Sequence, residues 1–186
     1  INKPYKELPP KENCSRPDAI ANAPGNMKLG PGHYGSYLAH RNAILNEWND
    51  DLDALLIFEC DAIFIKPIDD FLKKFEEIFY ECEKYNIPIF SFGPKYVNEQ
   101  SINMGSYFMT SLMFEMHCYV ITKSNYPYIK EKLLTTPWDV FDIWCTDYIK
   151  DRRMGVISEP YSIQAQGHSY VDWKESKENW HGQPKI

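Results

Sequence analysis

No apolar run in this 186-residue sequence approaches the length of a membrane span, and no signal-peptide pattern is visible at its start. The five cysteines (Cys14, Cys60, Cys82, Cys118 and Cys145) are odd in number and widely spaced, with no CxxC among them. That speaks against a disulfide framework and a zinc site, and it favours a reducing, cytoplasmic setting. Basic excess is missing too, because the formal net charge is −6. A nucleic-acid binder would normally carry a basic face for the phosphates. A nucleotide ligand remains open, since a metal ion can carry the positive charge that a diphosphate needs. Three enzyme signatures are also lacking. No GK[ST] completes a P-loop, no GxGxxG follows a strand, and there is no GxSxG elbow. Repeats and low-complexity tracts are absent. Asn13-Cys14-Ser15 fits the glycosylation sequon, a pattern short enough to arise by chance.

What is present reads as one ordinary globular domain with a sizeable core. Aromatics make up 15% of the residues, including 13 Tyr and 5 Trp. Such rings pack cores, and they also line sugar and nucleotide sites, where a flat face stacks and a polar tip bonds.

Residues 1–32 are rich in Pro, Asn and Gly and read as irregular structure. The spacing of Leu38, Arg41, Leu45 and Trp48 predicts a helix from Ser36 to Trp48, with Ser36 as its cap. The run Leu55–Phe58 predicts a strand buried on both faces, ending at Glu59-Cys60-Asp61. Phe71, Phe75, Ile78, Phe79 and Cys82 recur at helical spacing and predict an amphipathic helix. Strands are expected at 87–93, 113–122 and "GVISEP", helices at 125–134 and 139–150, and a loop at 94–111. Cys82 and Cys145 fall on apolar helix faces and read as core residues. This alternation suggests an α/β fold with a largely parallel sheet flanked by helices.

Glu59 and Asp61 are the sharpest chemical feature. Residues i and i+2 of a strand point to one side, which would send Cys60 into the packing. The pair stands at the carboxyl end of an apolar strand, where open α/β sheets bind ligands. A hard cation such as Mn²⁺ or Mg²⁺ would compensate their desolvation. The plainer reading is a strand end surfacing into water. His168 offers a neutral imidazole suited to the same metal, or a structural histidine. Asp139 and Asp142, three apart, would share one helix face. They fit either a general base for a hydroxyl or the acidic preference of a first helical turn. The glycines of "GPGHYGSYLAHR" precede a helix whose backbone N–H groups would hold an anion.

Together these segments resemble glycosyltransferase family 25, the family of lipooligosaccharide and collagen galactosyltransferases. "GHYGSYLAH" is similar to the family's "GExGCxxSH" block, through Gly32, Gly35, Ser36 and His40. "ALLIFECDAIF" resembles its acidic "LILEDD" strand, with Glu-Cys-Asp in place of Glu-Asp-Asp. "HCYVITKSNYPYI", "PWDVFD" and "ISEPYSIQAQGHS" resemble later blocks in the same order, so the likeness spans roughly residues 16–170.

The resemblance implies a GT-A type fold and an inverting, metal-dependent transfer from a UDP-sugar to a saccharide or glycoprotein hydroxyl. Asp61, Glu59 and His168 would hold Mn²⁺ or Mg²⁺. Arg16, His40 and Arg41 would line the donor, and Asp139, then Asp142, would act as base. The segment 94–111, with Tyr96, Tyr107 and Phe108, would close over bound substrate. The uridine-binding first strand is not found before residue 16, so the expected domain, residues 1–186, begins inside the fold. Two alternatives stay open: a catalytically silent glycosyltransferase-like binding domain, and another metal-dependent nucleotide enzyme such as a nucleotidyltransferase.

Overall fold

The computed structural model describes residues 31–93, 96–97, 101–114, 116–149 and 151–164. The chain runs through helix α1 (Pro31–Glu47), strands β1 (Ala54–Phe58) and β2 (Ala62–Phe64), and helix α2 (Ile68–Tyr85). Six strands follow: β3 (Phe90–Ser91), β4 (Tyr96–Val97), β5 (Ile102–Asn103), β6 (Tyr107–Thr110), β7 (Met113–Phe114) and β8 (Cys118–Thr122). Helices α3 (Tyr126–Thr135) and α4 (Phe141–Tyr148) and strands β9 (Met154–Ile157) and β10 (Ser162–Gln164) complete it. No helix among the described residues is long and apolar enough to cross a membrane.

The fold is mixed α/β. Its main sheet has the order β1-β8-β3-β9-β6-β5, and β10-β2 and β4-β7 form two small ribbons. Strand β8 organises the layers. All five of its residues are buried, and they alternate between two cores as the pleat requires. Tyr119 and Ile121 join Tyr37 and Ile44 of α1, Ile129 and Leu133 of α3, and Phe141 and Trp144 of α4. Cys118 and Val120 join Phe71, Ile78 and Cys82 of α2, with Phe90, Phe92 and Tyr161. Burying side chains as large as Phe71 or Trp144 stabilises by roughly 2–3 kcal/mol each. Cys145 is buried as well, so both helical cysteines are the core residues their periodicity predicts.

The expected parallel sheet is corrected. Among the described residues only β3 and β9 pair in parallel, whereas β1–β8, β3–β8, β6–β9 and β5–β6 are antiparallel. The cause lies in the segment read as a loop. A tight hairpin there reverses the chain, with Gly105 at φ +93° and its N–H donating to Asn103 Oδ1 at 2.7 Å. Asn and Gly suit such turns because they tolerate local bonding and positive φ. Tyr107 and Phe108 are therefore sheet residues rather than parts of a closing flap. Tyr107 is buried, and its hydroxyl donates to Glu81 at 2.8 Å.

Two further boundaries differ from expectation. Helix α1 begins at Pro31, so Ser36 lies inside it and does not cap it. Proline is favoured in a first turn, where its missing N–H is not needed. The buried line of α1 is Tyr37, His40 and Ile44, with Leu38 and Leu45 only partly buried at its side. Strand β1 is half-buried rather than enclosed, since among the described residues it pairs with β8 alone. Helix α2 follows its sequence pattern. Asp69 and Asp70 occupy the first turn and Lys84 the last, each matching the helix dipole. Asn86 closes it in the left-handed conformation.

Candidate functional site

Strand β1 stops at Phe58, and Glu59, Cys60 and Asp61 form the turn into β2, closed by the Ala62 N–H on the Glu59 carbonyl at 3.1 Å. Glu59 and Asp61 thus lie on a turn rather than on one face of a strand. For the same reason Cys60 is exposed instead of entering the packing. The Glu59 N–H still bonds the His117 carbonyl at 2.8 Å, which anchors the turn to the entrance of β8.

Each carboxylate has one side-chain partner recorded in the structure. His40 Nε2 lies 2.9 Å from Glu59 Oε1, and Gln164 Nε2 donates to Asp61 Oδ2 at 2.9 Å. Asp61 Oδ1 is buried and has no hydrogen-bond partner among the described residues. A buried, unbonded carboxylate oxygen is costly unless a cation or donor completes it.

His40 is itself enclosed, at 6% exposure. Its Nδ1 lies 2.9 Å from the Tyr119 hydroxyl, and its ring stacks on Phe141 with centroids 4.3 Å apart and planes 11° from parallel. Since a carboxylate only accepts, Nε2 carries the proton. With the proton there, Nδ1 is placed to accept the Tyr119 O–H. Burial holds that hydroxyl protonated well above the ordinary phenol range, and Cys145 and Glu59 add to the effect.

Asp139 and Asp142 do not form a helix-face pair, because α4 starts at Phe141 and Asp139 precedes it. Asp139 Oδ1 accepts the Val140 N–H at 2.7 Å, and Asp142 Oδ1 accepts the Ile143 N–H at 2.8 Å. Both remain partly exposed. Arg41 lines a surface cavity of about 300 Å³ with Tyr37, Leu38, Leu133, Thr136 and Trp138, and Trp138 is the immediate neighbour of Asp139. Arg16 and His168 lie outside the described residues. Among the described residues, no group of three or more His, Cys, Asp and Glu is placed to hold a metal.

Three participants were not singled out from the sequence. Tyr119 sits in an apolar stretch that reads as a strand, and Gln164 lies beyond the last strand that the sequence predicts. His117 is 1% exposed, and neither of its ring nitrogens has a partner among the described residues. A histidine opening the apolar run "CYVIT" is the signal that could have drawn notice to it. Comparison with protein families found no matching family model, and comparison with curated proteins found no similar sequence.

Proposed function

We propose that this chain is a metal-dependent glycosyltransferase domain of GT-A type, moving a sugar from a UDP-sugar to a hydroxyl of a saccharide or glycoprotein. One observation carries the reading: Glu59 and Asp61 share a turn at the carboxyl end of β1, and Asp61 Oδ1 is buried without a bond among the described residues. That donor set suits a hard divalent cation, Mn²⁺ or Mg²⁺. Asp61 and Glu59 would hold it, with His168 as the third ligand expected from the resemblance. Once bound, the cation supplies positive charge to the leaving diphosphate.

The remaining roles belong to the chain's own groups. Asp139, then Asp142, stands as the base that takes the acceptor proton. Arg41 and Trp138 offer a cation and an aromatic face at the neighbouring cavity, chemistry that suits a phosphate or a sugar ring. The rival reading, a silent domain of the same fold, draws on the Glu-Cys-Asp motif and on the bonds that already occupy Asp139 and Asp142.

Calorimetry with UDP-galactose, with and without Mn²⁺, on the wild-type chain and on Asp61→Ala separates the two. Metal-dependent binding that the substitution removes supports the transferase. Absence of binding in the wild type overturns it.

A further inference from the structure

We propose that His40 is a positioning residue that fixes the Glu59 carboxylate in the orientation the acidic turn presents, with Tyr119 and Phe141 fixing His40 in turn. The role deepens the transferase reading and rests on it for its metal-binding consequence. Four elements converge on one imidazole. Helix α1 carries His40, the turn after β1 carries Glu59, β8 carries Tyr119 and α4 carries Phe141.

A glutamate at a turn has three side-chain torsions to settle, and the Glu59 side chain keeps 29% of its surface exposed. One directional bond from a fixed donor selects a single arrangement. The donor is fixed because the ring has little freedom left. It bonds on both nitrogens, stacks on Phe141 and is buried. The bond engages Oε1, which leaves Oε2 as the oxygen to offer a ligand. This is the arrangement in which an outer partner orients a carboxylate and sets its hydrogen bonding. His40 thus acts through Glu59, the carboxylate proposed to hold the cation, rather than on the donor itself.

The test has two readouts. Long-range ¹H–¹⁵N spectra of the wild-type chain report the tautomer. We expect a proton on Nε2, and a Glu59→Ala variant in which that N–H loses its protection from exchange. A ring protonated on Nδ1 alone overturns the proposal whatever the enzyme's activity. Mn²⁺ titrations in the presence of UDP then read the consequence. His40→Leu should weaken Mn²⁺ binding on the order of 10- to 100-fold. His40→Gln, which can still donate to Glu59 and accept from Tyr119, should recover most of the loss, and Tyr119→Phe should fall between. Unchanged Mn²⁺ affinity in a folded His40→Leu overturns the positioning role. If His40→Leu fails to fold, His40→Gln against Tyr119→Phe decides, because equal affinities in all three folded proteins overturn it too. Should the wild type bind neither Mn²⁺ nor UDP, the transferase reading falls, and the tautomer alone still decides whether His40 holds Glu59.

Discussion

Gln164 and Asp61 are 103 residues apart in sequence and joined by a 2.9 Å hydrogen bond. The amide takes Oδ2 and leaves Oδ1 buried beside it without a bond among the described residues. The C-terminal strand β10 thereby fixes which oxygen of the acidic turn is available. Substituting Gln164→Leu should cost about 1 kcal/mol of stability, the usual worth of such a bond. It should weaken Mn²⁺-dependent UDP-galactose binding more than it lowers the melting temperature implies. Isothermal titration beside thermal melts checks this, and an unchanged titration would take Asp61 out of the site.

The choice of base is open to a direct comparison. Replacing Asp139 with Asn removes a proton acceptor while keeping the shape and the oxygen that accepts the Val140 N–H. If Asp139 is the base, kcat should fall by roughly 10²- to 10⁴-fold with little change in donor KM. Asp142→Asn should then have a much smaller effect. Steady-state rates with the two variants settle the order, and equal, near-wild-type rates would remove both from the chemistry.

Thiol chemistry should sort the cysteines by burial. Cys60 is exposed, whereas Cys82, Cys118 and Cys145 are buried. Desolvation raises the Cys118 thiol to about 12 and pushes those of Cys82 and Cys145 up as well. Only the thiolate is nucleophilic, so these three stay inert near neutral pH in the folded protein. Iodoacetamide followed by mass spectrometry should find Cys60 alkylated within the described residues, and the other three only after unfolding. Alkylated Cys60, lying between Glu59 and Asp61, should also lose Mn²⁺-dependent binding.

A close approach in the sheet gives a stability test away from the site. On Gly155 of β9 an added Cβ would overlap the Phe90 ring of β3. The two residues are register partners in the parallel β3–β9 pairing, so neither backbone can step aside freely. Gly155→Ala should destabilise by about 1–3 kcal/mol through overpacking, measured by urea unfolding. A neutral result would mean the Phe90 side chain has room to turn.

The sequence carried the elements whose signals are local. Phe71, Ile78 and Cys82 repeat at helical spacing and are buried as that spacing requires. The "CYVIT" run is a fully enclosed strand. Strand direction was less legible, because alternating helices and strands suggest crossovers while the two-residue strand β5 and its Asn103–Gly105 turn carry too little pattern to announce a hairpin. At the site, Glu59 and Asp61 stood out as charge ending an apolar run. His40 reads as a donor-lining residue, but its bond to Glu59 is not legible, and Gln164 is not marked at all. His40 lies 19 residues from Glu59 and 79 from Tyr119, and nothing in the local sequence of α1 distinguishes its buried line from the neighbouring Leu38–Leu45 line.

Tyr119 belongs both to the larger core and to the hydrogen-bond chain that reaches Glu59. The wall of the interior and the support of the acidic turn are therefore one object. Repacking β8 against α4 would disturb the ring that bonds Glu59, and a laboratory screen for lost function should return substitutions at Phe141 and Tyr119 alongside those at the acidic turn. Stabilising designs aimed at this core inherit the same constraint: the ring that holds His40 has to be left where it is.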